Sequence, residues 1–135
     1  MRHELIIADL GQAVYRLEDA LRSPADTDLL RAGCIQYFEF TFELAWKAIK
    51  AVAESEGVQE CVSPKNALKH AFARGWINDE PVWLEMVAAR NRMSHVYSAE
   101  QAHDVYDVLP TFLGPLRQLA DRLANGLVYG IRVNT

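Results

Sequence analysis

Ile7, Leu10, Val14, Leu17 and Leu21 recur at alternating three- and four-residue steps, with polar and charged residues between them. That spacing lines one face of an α-helix and predicts a helix over residues 4–22. Ser23-Pro24 breaks the pattern, and Asp26 or Thr27 is placed to cap the next helix. That helix, over about 27–56, is the longest. Ile35, Phe38, Phe42, Ala45, Ile49 and Val52 form the narrow stripe of a bundle seam, widened by Tyr37, Leu44 and Ala48. Phe40 falls outside the seam, on a stripe with Glu43, Lys47 and Lys50, and an exposed aromatic there hints at a second interface. Glu43 and Lys47 are spaced for a helical ion pair.

Gly57 ends this helix. Ser63-Pro64 starts a short one over about 64–74, with Gly75 as its stop. Asn78 or Asp79 opens a fourth, which runs through WLEMVAARNRMSH. Ser98 and Gln101 make a capping-box pattern for the last. Its stripe is Val105, Leu109, Phe112, Leu116, Leu119 and Leu123. Pro110 and Pro115 should kink or split that helix, Asn125-Gly126 should close it, and LVYGIRVNT should be extended or frayed. No segment shows strand alternation. The expectation is an all-α, antiparallel up-and-down helical bundle forming a single domain over residues 1–135.

Half the residues are apolar and the net charge is −4, so the chain is not a general nucleic-acid coat. Contact with RNA or a nucleotide needs a local basic patch. Residues 61–78 supply one, with Lys65, Lys69, His70 and Arg74 and no acid before Asp79; Arg90 and Arg92 could extend it along a phosphate backbone. A solvated basic face is an equally good account. Cys34 and Cys61 are far apart and lack C-x-x-C spacing, which fits free thiols in a reducing cytoplasm. We expect no signal peptide and no membrane span.

The stretch RNRMSHVY, residues 90–97, carries the candidate chemistry. Trp83, Met86, Arg90 and Met93 share one stripe, so Arg90 interrupts an apolar face. A structural account has its stem packing and its head pairing with a carboxylate at the rim. A functional one has its planar fork of donors holding a phosphate. His95 lies five residues on, about 140° round the helix, and Asn91 one turn before it can fix its ring. A histidine can take a proton from a ribose 2′-hydroxyl or give one to a leaving oxygen. An arginine beside it can stabilise the phosphorane. The two suffice for metal-independent RNA cleavage, with a second copy of the pair supplying both acid and base. The spacing alone is a weak signal, since about 0.3 chance occurrences of R-x4-H are expected in such a chain. His3, His70 and His103 do not cluster at metal-ligand spacing. No glycine-rich phosphate loop is present, and we expect neither metal nor cofactor.

The segments FEFTFELAWKAIK (38–50), SPKNALKHAF (63–72) and WLEMVAARNRMSHVY (83–97) resemble the HEPN superfamily, and within it the nucleotidyltransferase substrate-binding proteins. The resemblance covers most of the chain, and FELAWK with RN-x3-H-x-Y is far more specific than R-x4-H. It implies a bundle of four main helices plus one short helix, homodimeric, binding a minimal nucleotidyltransferase encoded beside it. Many such pairs behave as toxin–antitoxin modules. The HEPN member is a ribonuclease whose two R-x4-H motifs meet in a cleft, and the transferase silences it by adding AMP to the tyrosine of R-x4-H-x-Y. Carried over, Arg90 and His95 are catalytic, Asn91 is supporting, and Tyr97 is the modification site. Three readings compete: a ribonuclease toxin, a non-catalytic subunit presenting a nucleotide or other substrate to the transferase, and a helical scaffold whose polar motif is structural.

Overall fold

The structure is a computed structural model that describes the backbone of residues 2–93 and 98–133 and the side chains of 3–93 and 98–126. The described regular structure is all helical, in six elements: α1 (Arg2–Arg22), α2 (Asp28–Ser55), α3 (Pro64–Ala73), α4 (Glu80–Met93), α5 (Ala99–Val108) and α6 (Pro110–Val133).

Local chemistry sets most boundaries. The side chains of Thr27, Ser63 and Ser98 each accept the N–H three residues on, at 3.2 Å, and so satisfy an orphan donor at the start of α2, α3 and α5. Pro64 follows Ser63 at the first helical position, where no N–H is needed. Gly57 and Gly75 follow α2 and α3 with φ of +85° and +73°, a left-handed turn that side chains with a Cβ resist.

The C-terminal third bears out the sequence expectation at Pro110 and departs from it further on. Pro110 splits the last helix into α5 and α6, so the described residues form six helices where the resemblance implied four main and one short. The chain turns there through tight backbone bonds, from the Leu109 N–H to the Tyr106 carbonyl at 3.1 Å and from the Phe112 N–H to the Leu109 carbonyl at 3.0 Å. Pro115, by contrast, lies inside α6 without ending it. Asn125-Gly126 does not close α6 either, and the helix runs to Val133. An Asn-Gly pair stops a helix when its backbone turns left-handed, and among the described residues only Gly57 and Gly75 do so.

α2 packs against all five other helices, and α1 and α6 also pack against each other. α1 and α2 run antiparallel. The Cys34 thiol of α2 meets the Ala20 carbonyl of α1 at 3.8 Å, while Thr41, two turns further along α2, meets Ala13, two turns back along α1, at 3.3 Å. Thr41 is fully buried, and its hydroxyl lies 2.7 Å from the Tyr37 carbonyl in its own helix. The predicted stripes of α1 and of the C-terminal helices form the core, with Leu10, Val14, Leu17, Leu109, Phe112, Leu116 and Leu119 buried. On α2 the buried face is rotated slightly from the predicted one. Cys34 is buried where Ile35 is only half-buried, and Tyr37 is exposed instead of widening the seam. Phe38 is fully buried, with its ring centroid 5.2 Å from Phe112 and 6.0 Å from Phe42.

Polar ties fasten the periphery. The Ala25 N–H, in the α1–α2 turn, donates to the Tyr106 hydroxyl of α5 at 3.2 Å. Arg117 of α6 pairs with Glu18 of α1 at 2.7 Å. Arg122 of α6 donates to the Gly75 carbonyl, in the turn before α4, at 2.6 Å.

Phe38→Ala should open a cavity between α2 and α6 and lower the unfolding free energy by about 3–5 kcal/mol. Urea denaturation checks this, and a loss below about 1 kcal/mol would show that the core is not organised on this face of α2.

Candidate functional site

α4 opens where the Asp79 carbonyl accepts the Trp83 N–H at 3.2 Å. It buries Trp83, Met86, Val87 and Ala89. Arg90 is the next position on the Trp83–Met86 stripe, one turn from the end of α4. Its stem leaves the core edge and its guanidinium stays partly in water, with the side chain 37% exposed. Arg90 thus intrudes on an apolar face, as its position in the sequence implied. At the carbonyl end of a helix a cation is favoured by the local dipole.

Arg90 Nη2 donates to Glu43 Oε1 at 2.9 Å, joining α4 to α2 across 47 residues of sequence. The other carboxylate oxygen of Glu43 accepts the indole N–H of Trp46 at 2.9 Å, and Lys47 Nζ lies 3.7 Å from it. One carboxylate therefore holds the arginine with one oxygen and is itself held through the other. Its side chain is 35% exposed, so the ion pair with Arg90 is screened and contributes only about 0–1 kcal/mol to stability.

This contact is what the sequence did not reveal. Glu43 shares a stripe with Lys47, and that ion pair is present, but its shorter bonds go to Arg90 and Trp46. No local spacing rule connects residues 43 and 90. The available signal was Arg90 itself, a rim arginine on an apolar stripe that needs a carboxylate from some other helix.

Glu43 also lines a groove of about 460 Å³ between α1 and α2, with Asp9 and Arg16 from α1 and Tyr37, Phe40 and Lys47 from α2. Phe40 is 56% exposed at its edge. The groove and Arg90 thus meet at one carboxylate.

The other candidate residues are distributed as follows. Asn91 and Arg92 are exposed on the last turn of α4. His95 and Tyr97 lie outside the described residues. Lys65 and Lys69 are exposed on α3. Arg74 caps the end of α3, pairs with Glu56, and lies 5.2 Å from the Trp76 ring centroid, so its charge is engaged within the protein. Burial raises the pKa of both cysteine thiols; near Cys61 the charges of Glu60 and Glu54 add to the effect, while Lys50 opposes it. Neither thiol is suited to act as a nucleophile. Among the described residues, no three or more His, Cys, Asp or Glu side chains are grouped to hold a metal, and no helix is long and apolar enough to cross a membrane.

Residues 5–125 match the family model described as nucleotidyltransferase substrate binding protein like. The chain belongs to this family. It is 30% identical over 128 residues to a protein of Haemophilus influenzae named probable ribonuclease HepT, an alignment covering 84% of this chain and 88% of that one. Among solved structures it resembles HI0074 of Haemophilus influenzae, described as having the fold of a substrate-binding domain of a nucleotidyltransferase. The TM-score is 0.76 at 30% identity, over 87% of this chain and 98% of that one. A protein of Thermus thermophilus gives a TM-score of 0.75 at 31% identity, over 84% of this chain and 98% of that one. The nucleotidyltransferase substrate-binding match runs from α1 into α6, so it takes in Glu43, Arg90 and the whole of RNRMSHVY.

Because the Glu43–Arg90 pair is partly solvated, Arg90→Ala should remain folded and lose about 1 kcal/mol or less. A double-mutant cycle with Glu43→Gln, read by denaturation, should give a coupling energy of about 0.2–1 kcal/mol. A loss of several kcal/mol on Arg90→Ala would instead make the motif a structural element.

Proposed function

We propose that this chain is the ribonuclease half of a toxin–antitoxin-like pair with a minimal nucleotidyltransferase. It would cleave RNA without a metal through Arg90 and His95 and be silenced by AMP transfer to Tyr97. The observation that supports this most is Arg90. It is drawn to the edge of the core by its own stripe, oriented by a fixed carboxylate, and still accessible to a phosphate. Similarity to a protein named as a probable ribonuclease agrees with it.

In this mechanism the guanidinium of Arg90 binds the scissile phosphate. A His95 imidazole takes the proton from the ribose 2′-hydroxyl as O2′ attacks phosphorus. The P–O5′ bond breaks, and a protonated His95 gives its proton to the departing O5′, leaving a 2′,3′-cyclic phosphate and a free 5′-hydroxyl. Base and acid are needed at once and the motif supplies one histidine per chain, so the active unit is a homodimer with two motifs facing one cleft. Asn91 orients His95. Lys65, Lys69 and Arg92 lie along the RNA path, and Arg74, already paired with Glu56, contributes least.

A second reading follows from the description of HI0074 as a substrate-binding domain fold. Here the same site presents a nucleotide to the transferase and performs no chemistry.

The two readings separate in an RNA digestion containing EDTA. Wild-type protein should cut RNA, and His95→Ala should reduce the rate about 10²–10⁴-fold. Equal background cutting by both, together with nucleotide binding that depends on Arg90, would favour the presenting role. For the switch, incubation with the small nucleotidyltransferase encoded beside the gene and ATP should add the mass of AMP to the wild type and none to Tyr97→Phe. Equal labelling of the two proteins would remove Tyr97 from the mechanism.

A further inference from the structure

We infer that Glu43 is the positioning residue of the Arg90 phosphate site, backed by the indole of Trp46, and that it trades substrate affinity for turnover. The inference rests on the ribonuclease reading for its rate measurements, but not for its spectroscopic one.

An arginine side chain near a helix end has many accessible rotamers, and unheld it spreads its guanidinium over several orientations. Here one Nη is fixed at 2.9 Å by Glu43. The carboxylate is itself fixed, because its second oxygen takes the Trp46 N–H at 2.9 Å from one turn further along the same helix. Trp46 is half-buried against the core, so its indole is a rigid support. The chain of contacts runs from core to indole to carboxylate to guanidinium. A guanidinium has five N–H donors in a plane, and the bond to Glu43 uses one of them. Fixing one edge sets the plane in which the rest meet a phosphate.

The stability this ion pair contributes is small, because both side chains are more than a third exposed. Its effect on the site is larger. A carboxylate beside Arg90 offsets the charge that attracts the phosphodiester, which weakens binding of the ground state. The fixed orientation acts at the phosphorane, where misplacement of a donor by about 1 Å can lower rates by up to about 10²-fold. A residue with a purely structural role would not shift the two quantities in opposite directions.

The test compares wild type, Glu43→Gln, Glu43→Asp and Trp46→Phe, each first shown to be folded by circular dichroism. Glu43→Gln should lower kcat about 10- to 100-fold and lower KM for a short RNA about 2- to 5-fold. Glu43→Asp, which keeps the charge, should recover part of kcat, and Trp46→Phe should show a weaker version of the Glu43→Gln effect. Unchanged kcat in Glu43→Gln, beside an active wild type and an inactive His95→Ala, would overturn the inference and leave the ribonuclease reading intact. If wild type cuts no better than His95→Ala, the ribonuclease reading falls, and the inference is decided by NMR of the Arg90 Nη groups. Slowed guanidinium rotation in wild type that is lost in Glu43→Gln supports positioning, and identical spectra overturn it.

Discussion

Every other helix of the fold packs on α2, and this is the constraint from which the rest follows. A helix with five neighbours needs buried residues over much more than a narrow stripe. α2 meets that demand with Cys34, Phe38, Thr41, Phe42, Ala45, Ala48, Ile49, Val52 and Ala53. The small side chains among these allow neighbouring helices to approach, and Phe38 fills the space toward Phe112 of α6. The one buried polar side chain among the described residues, Thr41, bonds through its hydroxyl to a carbonyl of α2 itself, so it enters the core without an unsatisfied proton.

The candidate site uses the same helix. Glu43 follows Phe42 by one residue, about 100° round the axis. Core and site are therefore two faces of one rigid element, and the carboxylate inherits its position from the packing of Phe42. α4 is built similarly, with Trp83 and Met86 buried and Arg90 next on the stripe. Two core-anchored helices thus deliver opposite charges to one point at the surface, a more exact placement than loops would give.

How much of this was legible in the sequence follows the range of the forces involved. Thr27, Ser63, Gly57 and Gly75 act on the backbone within a few residues, and their roles could be read directly. The stripes of α1 and of the C-terminal helices were legible because helical periodicity is local. Pro110 and Pro115 looked alike, yet one divides the chain and the other lies inside a helix, and only the surrounding packing distinguishes them. The end of α6 lies beyond Asn125-Gly126, the pair expected to close it, because the backbone there does not make the left-handed turn that ends a helix. Arg90 could be recognised as out of place on an apolar face, whereas Glu43 could not be recognised as its partner. That partnership exists only once α2 and α4 are packed together. The resemblance carried by FELAWK and RNRMSHVY identified the family, while the bond between the two segments had to await the fold.

The bond from Arg122 to the Gly75 carbonyl bears on how the chain tolerates changes in length. The short link from Gly75 to Glu80 is clamped at one end to α6 and continues at the other into α4. The clamp leaves the link little slack, and whatever part of an inserted or deleted residue it could not absorb would pass into α4, where one residue amounts to a slide of about 1.5 Å and a turn of about 100°. Trp83 would leave the core and Arg90 would leave Glu43 in the same step. Lineages that lengthen or shorten their loops are therefore expected to do so elsewhere, and this link to keep its residue count even where its side chains diverge.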